Sequence, residues 1–537
     1  MPSRSWWGRR VFIVTAEEMR AAEQWCEAHG ITTEVLMDRA GRAVAEAVLA
    51  LLAERPGPVV VVVGPGNNGG DGLVAAERLA RAGVPVTVAH VPRKLDPDHP
   101  LRAAREAPLR LIGLGLPGGP DELRLALRDA VVVVDALLGT GVSRPLSGLV
   151  ADAARCLAGR PRESRLVAVD LPSGLQSESG AVDPLTPRAD LTLTLGAPKV
   201  GCYLPPGQRY VGELRVADIG IPREAFAGVR RQALTAEHAA ALLPERPVDG
   251  HKGTFGKVLV VGGSERYLGA PLLTAAAVLR VGAGLVVLAT ARPAYERLAG
   301  RLLEATYLPL PTTGEGTLAD TAGQVMLRAI EEEGVDAVVL GPGLGRSLAV
   351  SRLLSELLPR LTLPTLIDAD GLNVLAELEQ WPALLPARCV LTPHPGEAAR
   401  LLRSSVRAVE QDRLAAAAAL THGRAVVVLK GAHTIVQQPD GALALFPLAN
   451  PALGSGGTGD VLSGLIGGLL AQGLAPAAAA ALGVYLHAAA AQRWSRAHGD
   501  AGLLASDLLA EIPAVRRELR QRRQQERGAP AEPAPTA

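Results

Sequence analysis

Hydrophobic positions in the first half of the chain fall into short, continuous runs rich in Val and Leu, such as VVVVV at residues 59–63. A run without an alternating polar face is typical of a strand buried on both sides of a parallel sheet. The pattern predicts strands at residues 59–63, 84–89, 130–135, 165–170, 191–195 and 213–217, and helices at 71–82, 121–128 and 148–157. This alternation predicts a doubly wound, Rossmann-like α/β domain.

The alternation stops over residues 219–253, which contain several prolines and show no clear strand. A second series then predicts strands at residues 257–261, 284–289, 335–340, 364–368, 389–391 and 425–429, and helices at 270–281, 347–358, 412–421, 459–470 and 476–497. Two series in 537 residues indicate two large α/β domains. We place the boundary near residue 230, so that the domains comprise residues 1–230 and 231–515.

The last stretch, residues 516–537, reads RRELRQRRQQERGAPAEPAPTA and has almost no apolar content. A segment of this composition cannot bury enough apolar surface to offset the entropy lost on ordering, so we predict that it is disordered. The alternative is that its basic run binds nucleic acid or a partner protein.

The overall charge and the cysteine content argue against several classes of function. The chain has 55 Lys and Arg residues against 54 Asp and Glu residues, so no global field attracts nucleic acid or an anionic membrane. Its four cysteines form no CxxC pair, which argues against a disulfide framework or a zinc site. No uninterrupted apolar stretch approaches the ~20 residues of a membrane span. We therefore expect a cytoplasmic protein that binds small molecules rather than nucleic acid or membrane.

A glycine-rich loop, GPGNNGGDG at residues 64–72, follows the first predicted strand and opens a helix. Main-chain amides at the start of a helix bind phosphate, and glycines let a ligand approach them closely. Asn67 and Asn68 add polar side chains, and Asp71 adds a carboxylate. The spacing differs from GxGxxG, so an ordinary Rossmann dehydrogenase is not indicated. The simpler alternative is a tight turn with an Asp cap.

Three further motifs place polar side chains at the ends of predicted strands. DALLGTG begins with Asp135, VDLPSG contains Asp170 and Ser173, and ADLTLTLGAPKVG contains Lys199. Because parallel sheets bind ligands outside the carboxyl ends of their strands, we expect these groups to surround one site. We take Asp135 and Lys199 as the candidate acid–base pair of that site.

With the TAEEMR, LMDRAG and DIGIP segments, these motifs resemble the NAD(P)H-hydrate epimerase family over residues 15–222. Asp38 and Arg39 depart from the Glu-Asn that the family usually has before Ala-Gly. The resemblance implies that Asn68, Asp135 and Ser173, which are oxygen ligands, hold a potassium ion. The hydrate-binding residues that it implies are Asn67, Asn68, Gly69, Gly70, Asp71, Gly139, Thr140, Gly141, Val142, Ser143, Arg144, Pro145 and Asp170.

The second half carries another glycine-rich motif, NPALGSGGTGDVLSG at residues 450–464. Amides at the start of its apolar helix form an anion hole for a phosphoryl group in transfer. Asp460 follows directly and is placed to take the proton of an attacking hydroxyl. Upstream, VVVLKGAHT brings Lys430 out of a buried strand, where it can meet phosphate charge. The alternative is a glycine-rich turn with an early helical Asp.

Together with HKGTFGKVLVVGGS and LTPHPGE, these motifs resemble the ADP-dependent NAD(P)H-hydrate dehydratase family, which has a ribokinase-like fold, over residues 234–510. The nucleotide-binding residues that the resemblance implies are Lys430, Gly431, Ala432, His433, Thr434 and Gly459. The residues that it implies for contact with the hydrate are Ala270, Gly343, His394 and Asp460.

The two resemblances together imply a bifunctional repair enzyme, which we expect to be a homo-oligomer. The first domain interconverts the R and S hydrates of NADH and NADPH. The second dehydrates the S form while ADP, with Mg²⁺, is converted to AMP and phosphate. Because hydroxide is a poor leaving group and phosphate a good one, phosphorylation of the added hydroxyl after deprotonation by Asp460 would drive the elimination.

Two other functions remain open from the sequence. The second domain could be a kinase for a vitamin precursor or a sugar, because ribokinase-like folds host many kinases. A stable phosphorylated product would reveal that activity. The first domain could be a non-catalytic binding module, although its complete GNNGGDG loop, Asp135 and Lys199 favour catalysis.

Overall fold

The computed structural model describes residues 11–92, 106–141, 144–447 and 449–528. Within these ranges the chain forms two compact units, one from Val11 to Val229 and one that begins at Arg230. Each unit is built around one sheet. In the described ranges no helix is both long enough and apolar enough to cross a membrane.

The first unit has a seven-stranded, wholly parallel sheet in the order β3-β2-β1-β4-β5-β6-β7. Its strands are β1 (Val59–Val63), β2 (Val86–His90), β3 (Arg110–Gly113), β4 (Val132–Ala136), β5 (Arg165–Val169), β6 (Leu191–Leu195) and β7 (Glu213–Ala217). Its described helices are α1 (Ala16–Ala28), α2 (Thr33–Glu54), α3 (Asn67–Arg81), α4 (Gly119–Asp129) and α5 (Gly148–Ala158). The strand order reverses between β1 and β4, and such a switch point opens a crevice at the carboxyl ends of the strands.

The continuous Val run of β1 is explained by two separate cores, one on each face of the sheet. Val59, Val61 and Val63 pack with α2 and α3, whereas Val60 and Val62 pack with α4 and α5. Burial of a Val side chain contributes about 1.5–3 kcal/mol, so both faces of this strand stabilise the unit. The β1–β4 pair is thereby held in a fixed position below the crevice.

The second unit has a ten-stranded sheet in the order β11-β10-β9-β12-β13-β14-β15-β16-β17-β8. All neighbours are parallel except β15–β16 and β16–β17. Its strands are β8 (Arg231–Ala233), β9 (Lys257–Val261), β10 (Leu285–Ala291), β11 (Thr306–Leu310), β12 (Ala337–Leu340), β13 (Thr365–Ile367), β14 (Cys389–Leu391), β15 (Val426–Leu429), β16 (Ile435–Gln437) and β17 (Leu443–Leu445).

Thirteen described helices cover this second sheet. They are α6 (Ala236–Leu242), α7 (Gly269–Arg280), α8 (Arg292–Leu298), α9 (Ala322–Glu333), α10 (Leu348–Leu357), α11 (Asp370–Glu377), α12 (Trp381–Leu384), α13 (Pro395–Leu401), α14 (Val406–Gln411), α15 (Arg413–Thr421), α16 (Thr458–Ala471), α17 (Pro476–His498) and α18 (Ala505–Gly528). Helix α16 is buried along nearly its whole length, which fixes its glycine-rich start at the end of the sheet. The α/β fold class predicted for both halves is confirmed.

The structure corrects two predictions about the linking and terminal segments. Residues 219–253 do contain a strand, β8, which pairs with β17 at the edge of the second sheet. The prediction of a disordered tail from residue 516 is wrong as far as residue 528, because α18 continues to that point; residues 529–537 lie outside the described ranges. The helix presents four buried apolar side chains at helical spacing: Leu508, Ile512, Val515 and Leu519. These side chains bury apolar surface against the unit, although the charged composition of the segment gave no indication of it.

Candidate functional site

A cavity of about 430 Å³ lies at the switch point of the first unit. Its walls come from α1, α2, the start of α3, the loop after β4 and the ends of β5 and β6. Eight of the residues predicted to bind the hydrate or to act on it line this cavity: Asn67, Asn68, Asp71, Gly139, Thr140, Gly141, Asp170 and Lys199. The sequence motifs therefore converge on one site at the carboxyl ends of the strands.

The other predicted residues of this half have different positions. Gly69 and Gly70 are buried in the first turn of α3, outside the cavity lining. Arg144 and Pro145 are exposed and do not line the cavity either. Val142 and Ser143 lie outside the described residues.

The glycines of the GPGNNGGDG loop permit close packing rather than an unusual backbone conformation, since none has a positive φ. A Cβ on Gly64 would lie 1.7 Å from the Leu137 carbonyl oxygen, and one on Gly69 would lie 2.1 Å from the Gly64 carbonyl oxygen. Helix α3 begins directly after Gly66 with no side-chain cap. Its first amides are thus brought to the cavity, where their partial positive charge suits an anion.

A buried ion pair forms one wall of the cavity. Lys199, only 1% exposed, donates a hydrogen bond to the carboxylate of Asp170 and a second, at 3.1 Å, to the carbonyl of Leu195. The Leu195 amide donates in turn to Asp170 Oδ1 at 3.1 Å. Asp170 has a φ of 67°, a left-handed conformation that is unfavourable for a non-glycine residue and is frequent at functional sites. Asp170 at the end of β5 and Lys199 just after β6 are thus held side by side.

Two more carboxyl groups line this cavity. Burial, and then the neighbouring charges of Asp170 and Glu23, raise the pKa of Asp71 well above its usual range. Burial within the cavity also raises the pKa of Glu23, which comes from α1. The sequence analysis did not select Glu23, because it lies in a helix rather than at a strand end. The raised pKa of Asp71, next to the Lys199–Asp170 contact, makes this carboxyl a candidate proton donor in the cavity.

Asp135 lies outside the cavity lining and is fully buried. It accepts hydrogen bonds from the Ser173 amide at 2.8 Å, the Ser173 hydroxyl at 2.6 Å and the Leu137 amide at 3.2 Å. Burial raises the pKa of Asp135, and these hydrogen bonds oppose the rise. The structure therefore pairs Lys199 with Asp170 rather than with Asp135, which corrects the predicted acid–base pair. Sequence alone could not show which strand-end carboxylate points to the cavity.

Asp135 and Ser173 instead fix the loop that follows β4. Ser173 Oγ accepts from the Leu138 amide at 2.9 Å, and a Cβ on the next residue, Gly139, would lie 3.4 Å from Asn68 Oδ1. The buried Asn68 Nδ2 has no hydrogen-bond partner among the described residues. Asn68 thus lies against this loop and lines the cavity, where its Nδ2 can still donate a hydrogen bond.

The second unit has a cavity of about 390 Å³ next to the start of α16. Five of the six residues predicted to bind a nucleotide line it: Lys430, Gly431, Ala432, Thr434 and Gly459. His433 does not line it; this residue is 8% exposed and adopts a positive φ of 63°. Burial lowers the pKa of His433 to about 4, so its ring is neutral at pH 7. The predicted contact of His433 with the nucleotide stays a prediction.

Lys430 is held at the glycine-rich start of α16 by a buried network. Its Nζ donates to Asp368 Oδ1 at 2.7 Å, and the Ser463 hydroxyl donates to Asp368 Oδ2 at 2.6 Å. A Cβ on Gly459 would lie 3.5 Å from Lys430 Nζ. Burial alone would lower the pKa of Lys430, but the carboxylates of Asp368 and Glu397 outweigh it and raise the pKa. The ammonium is thus permanently charged at the anion-binding end of the helix.

Asp368 was missed by the sequence analysis, although IDADGLN follows a predicted strand. It is 1% exposed at the end of β13, where it contacts Lys430 from the neighbouring part of the sheet. Burial tends to raise the pKa of Asp368, but Lys430 and two hydroxyl donors lower it overall. The sequence signal for Asp368 was a carboxylate at a strand end. Its partner, Lys430, lies 62 residues away in sequence, so the motif did not indicate the pair.

Asp460 is the third residue of α16. Burial, and then the negative charge of Asp368, raise the pKa of Asp460 to about 7. Its main-chain carbonyl accepts from Thr274 Oγ1 at 3.1 Å, and the same hydroxyl bonds the Ala270 carbonyl at 3.0 Å. A Cβ on Gly343 would lie 3.4 Å from the Ala270 Cβ. Three predicted hydrate contacts are thus neighbours at the start of α16, where a carboxyl is poised to exchange a proton near neutral pH.

His394 is a helix cap. Its Nδ1 accepts from the amides of Gly396 at 2.9 Å and Glu397 at 3.3 Å, so a neutral ring carries its proton on Nε2. Burial, with the nearby charge of Lys430, lowers the pKa of His394 and keeps the ring neutral. The PHPGE turn therefore needs this residue to start α13, and its predicted contact with the hydrate stays a prediction.

Two family models match the chain. One, described as YjeF-related protein N-terminus, matches residues 33–201, and the other, described as NAD(P)H-hydrate dehydratase, matches residues 258–514. Among solved structures, the ADP/ATP-dependent NAD(P)H-hydrate dehydratase from Bacillus subtilis, co-crystallised with ATP and Mg²⁺, is 33% identical with a TM-score of 0.47. That match covers 53% of this chain and 98% of the Bacillus chain.

Full-length relatives match both units at once. The bifunctional NAD(P)H-hydrate repair enzyme Nnr of Moorella thermoacetica is 40% identical over 95% of this chain and 97% of its own length. The enzyme of the same name from Thermofilum pendens is 38% identical over 95% of this chain and 96% of its own length. The chain belongs to the family of bifunctional NAD(P)H-hydrate repair enzymes.

Proposed function

We propose that this chain restores hydrated nicotinamide cofactors in two steps. The first unit interconverts the R and S hydrates of NADH and NADPH, and the second dehydrates the S form while ADP is converted to AMP and phosphate. The observation that carries this proposal is the presence, in each unit, of one glycine-rich helix start beside one buried carboxyl group of raised pKa. The cytoplasm is the proposed location, in line with the four buried, free cysteines, and the proposed assembly is a homo-oligomer.

The epimerisation is assigned to the carboxyl groups around Lys199. The hydrate carries its hydroxyl on the carbon next to the ring nitrogen. When Asp170 removes the hydroxyl proton, a C=O bond forms, the C–N bond breaks, and the electron pair moves to nitrogen, which takes a proton from Asp71. Reclosure on the other face of the carbonyl reverses these transfers and inverts the carbon. Lys199 positions Asp170 for this role through their hydrogen-bonded ion pair.

A potassium ion in the first unit is also part of the proposal. The three proposed side-chain ligands, Asn68, Asp135 and Ser173, offer oxygen atoms, which a hard cation prefers. They fit because Asp135 is buried without a cationic partner within ion-pair distance among the described residues, and because the side-chain oxygens of Asp135, Ser173 and Asn68 lie around the loop after β4. The ion would supply positive charge at the floor of the cavity.

The dehydration is assigned to Asp460, Lys430 and the amides at the start of α16. Asp460 takes the hydroxyl proton, the oxygen attacks the terminal phosphorus of ADP, and the bond from phosphorus to AMP breaks. Lys430 and the amides stabilise the charge that moves to the phosphate oxygens. The lone pair of the ring nitrogen then expels phosphate, and loss of a proton from the adjacent carbon restores the ring double bond.

Magnesium would enter with the nucleotide. Among the described residues no cluster of three His, Cys, Asp or Glu side chains could hold a metal ion. Mg²⁺ bound through substrate phosphates and water needs only one or two protein carboxylates, so this chain fits that mode. The ion would neutralise phosphate charge when it is bound.

The test is to incubate the purified chain with mixed-epimer NADH hydrate, with and without ADP. We expect exchange between epimers without ADP, and return of NADH absorbance with release of free phosphate when ADP is added. A stable phosphorylated product and no NADH would instead indicate a kinase. Unchanged epimer ratios without ADP, relative to a protein-free control, would indicate that the first unit only binds its ligand.

A further inference from the structure

A separate cavity of about 820 Å³ lies in the second unit. It is formed by the segment before β9, the carboxyl end of α7 and the second half of α18. Six arginines and one glutamate line it: Arg246, Arg280, Arg516, Arg517, Arg520, Arg523 and Glu245. We refer to it as the arginine cavity. It shares no lining residue with the cavity next to α16 and is larger.

Two of its guanidinium groups converge on one point. A Cβ on Gly282 would lie 2.5 Å from Arg516 Nη1 and 2.7 Å from Arg246 Nη1. Arg246 is fixed there, because it donates to the Gly282 carbonyl at 2.5 Å and lies 3.6 Å above the ring of Phe255. Burial and the charge of Arg246 lower the pKa of Arg516 to about 10, so both groups stay cationic at neutral pH. Two fixed, partly desolvated cations at this distance repel each other unless an anion lies between them.

The positive charge of the arginine cavity is not balanced by carboxylates in its lining. Arg523 pairs with Glu245, but within the described residues the other five arginines have no carboxylate within ion-pair distance. By contrast, other charged side chains of α18 are paired, such as Arg522 with Glu237 and Glu518 with Arg493. Six arginines less one glutamate leave an excess of five positive charges in one concave site. Guanidinium groups arranged in this way match the oxygens of phosphate.

We propose that the arginine cavity is a second nucleotide site, distinct from both active sites, that binds a nucleoside di- or triphosphate by its phosphate chain. The remaining wall is formed by Leu243, Pro244, Pro247 and Pro513, which offers an apolar surface to a base. A concave site of this volume suits a small molecule, and the net charge of +1 gives the chain no extended field for nucleic acid.

Helix α7 connects this site to the chemistry. Arg280, the last residue of α7, lines the arginine cavity. In the middle of the same helix, Thr274 bonds the main-chain carbonyl of Asp460. A nucleotide that binds at Arg280 therefore contacts a rigid element that also touches the general base. We expect the site to act as an effector site for dehydration.

The experiment measures binding of ADP and of inorganic tripolyphosphate to the full chain by calorimetry. We expect two ADP sites per chain, and we expect tripolyphosphate to compete for one of them. R246Q/R516Q is expected to lose the tripolyphosphate-sensitive site, while K430A is expected to lose the other. R407Q, at an exposed arginine outside the cavity, is the matched control and should bind as the parent does.

Loss of affinity should be about tenfold or more for each arginine removed. R520Q changes an exposed side chain, so it provides a variant that folds if the double variant does not. One ADP site in the parent, or tripolyphosphate binding that is unchanged in both R520Q and R246Q/R516Q, overturns the proposal. Tighter binding of a single-stranded oligonucleotide than of tripolyphosphate also overturns it, in favour of a nucleic-acid surface. Loss of turnover in K430A alone concerns the active site and leaves this inference standing.

Discussion

Lys430 Nζ lies 2.7 Å from Asp368 Oδ1, at the point where the start of α16 meets the end of β13. Asp368 is buried and Lys430 is partly buried, and the Ser463 hydroxyl donates a further hydrogen bond to Asp368. A lysine so fixed can meet nucleotide phosphates without reorganisation, which is where a charged group contributes most to phosphoryl transfer. Because Lys430 also neutralises the buried Asp368 carboxylate, the residue proposed for phosphoryl transfer also stabilises the fold.

K430M should therefore lose both activity and stability. Removal of the ammonium leaves the Asp368 carboxylate buried without a counter-charge, which costs about 3–5 kcal/mol. The double variant D368N/K430M removes both charges and should recover much of the lost melting temperature, but none of the dehydratase activity. Thermal unfolding and NADH recovery measure the two effects. Equal instability of the single and double variants would show that the ion pair is not the cause.

The pH profile of dehydration should report Asp460. Its pKa of about 7 means that the base form appears as pH rises through neutrality, so kcat/KM should increase up to about pH 7 and then level off. D460N should be slower by about 10²–10⁴-fold and should lose this limb of the profile. D249N, at an exposed aspartate of the second unit, serves as the control. If D460N still shows the rise of kcat/KM with pH, that rise reports another group. Glu397 would then be the candidate, because burial also raises its pKa to about 7.

The same carboxyl group should weaken the fold at high pH. A carboxyl whose pKa is raised on folding binds more protons in the folded than in the unfolded state, so stability falls as pH rises from its unfolded pKa to its folded pKa of about 7. D460N removes this loss and should raise the melting temperature above pH 7 relative to the parent, with a smaller difference at low pH. A melting temperature that is lowered equally at both pH values would contradict this.

Ser173 should matter for structure rather than for proton transfer. Its hydroxyl donates to Asp135 at 2.6 Å, so S173A leaves one buried carboxylate oxygen with fewer partners. We expect a loss of about 1–3 kcal/mol in the free energy of unfolding of the first unit. Denaturant unfolding measures this change, and S179A, at an exposed serine, is the control. Unchanged stability would mean that the Asp135 network does not hold the loop after β4.

The terminal helix should be required for folding of the second unit. L519A removes a buried side chain that packs in the same core as α7 and α16, and substitutions of this kind cost about 2–5 kcal/mol. L504A, at an exposed leucine next to the start of α18, should cost much less. Similar unfolding curves for L519A and the parent would indicate that residues beyond 515 do not contribute to the stability of the second unit.

The sequence revealed most of the architecture because the central strands are buried on both faces. The Val run of β1 allows few other interpretations, and the glycine-rich loop after it stands where a strand-to-helix turn requires close packing. Short strands at or next to the edge of the sheet, such as β8 and β17, were missed, since three residues carry no measurable period. The Leu and Val stripe of α18 was obscured by the arginines around it.

The sequence predicted which residues belong to the candidate sites, but not which of them form hydrogen-bonded pairs. Asp135 and Asp170 both end neighbouring strands, and only the structure shows that the first bonds Ser173 while the second bonds Lys199. Glu23 reaches the cavity from a helix, and Asp368 meets its partner across the sheet. Such contacts depend on side-chain direction and on distant segments, which motif spacing does not encode.

The most direct test of the whole account follows NADH recovery from mixed-epimer hydrate at saturating ADP in the parent, D170N and D152N. The account predicts complete, single-phase recovery in the parent and in D152N, whose altered side chain is 44% exposed and lies outside the cavity. In D170N it predicts a rapid phase that ends when the S hydrate is consumed, followed by slow recovery at the uncatalysed epimerisation rate. A single rapid phase in D170N would contradict the assignment of epimerisation to the Lys199–Asp170 cavity.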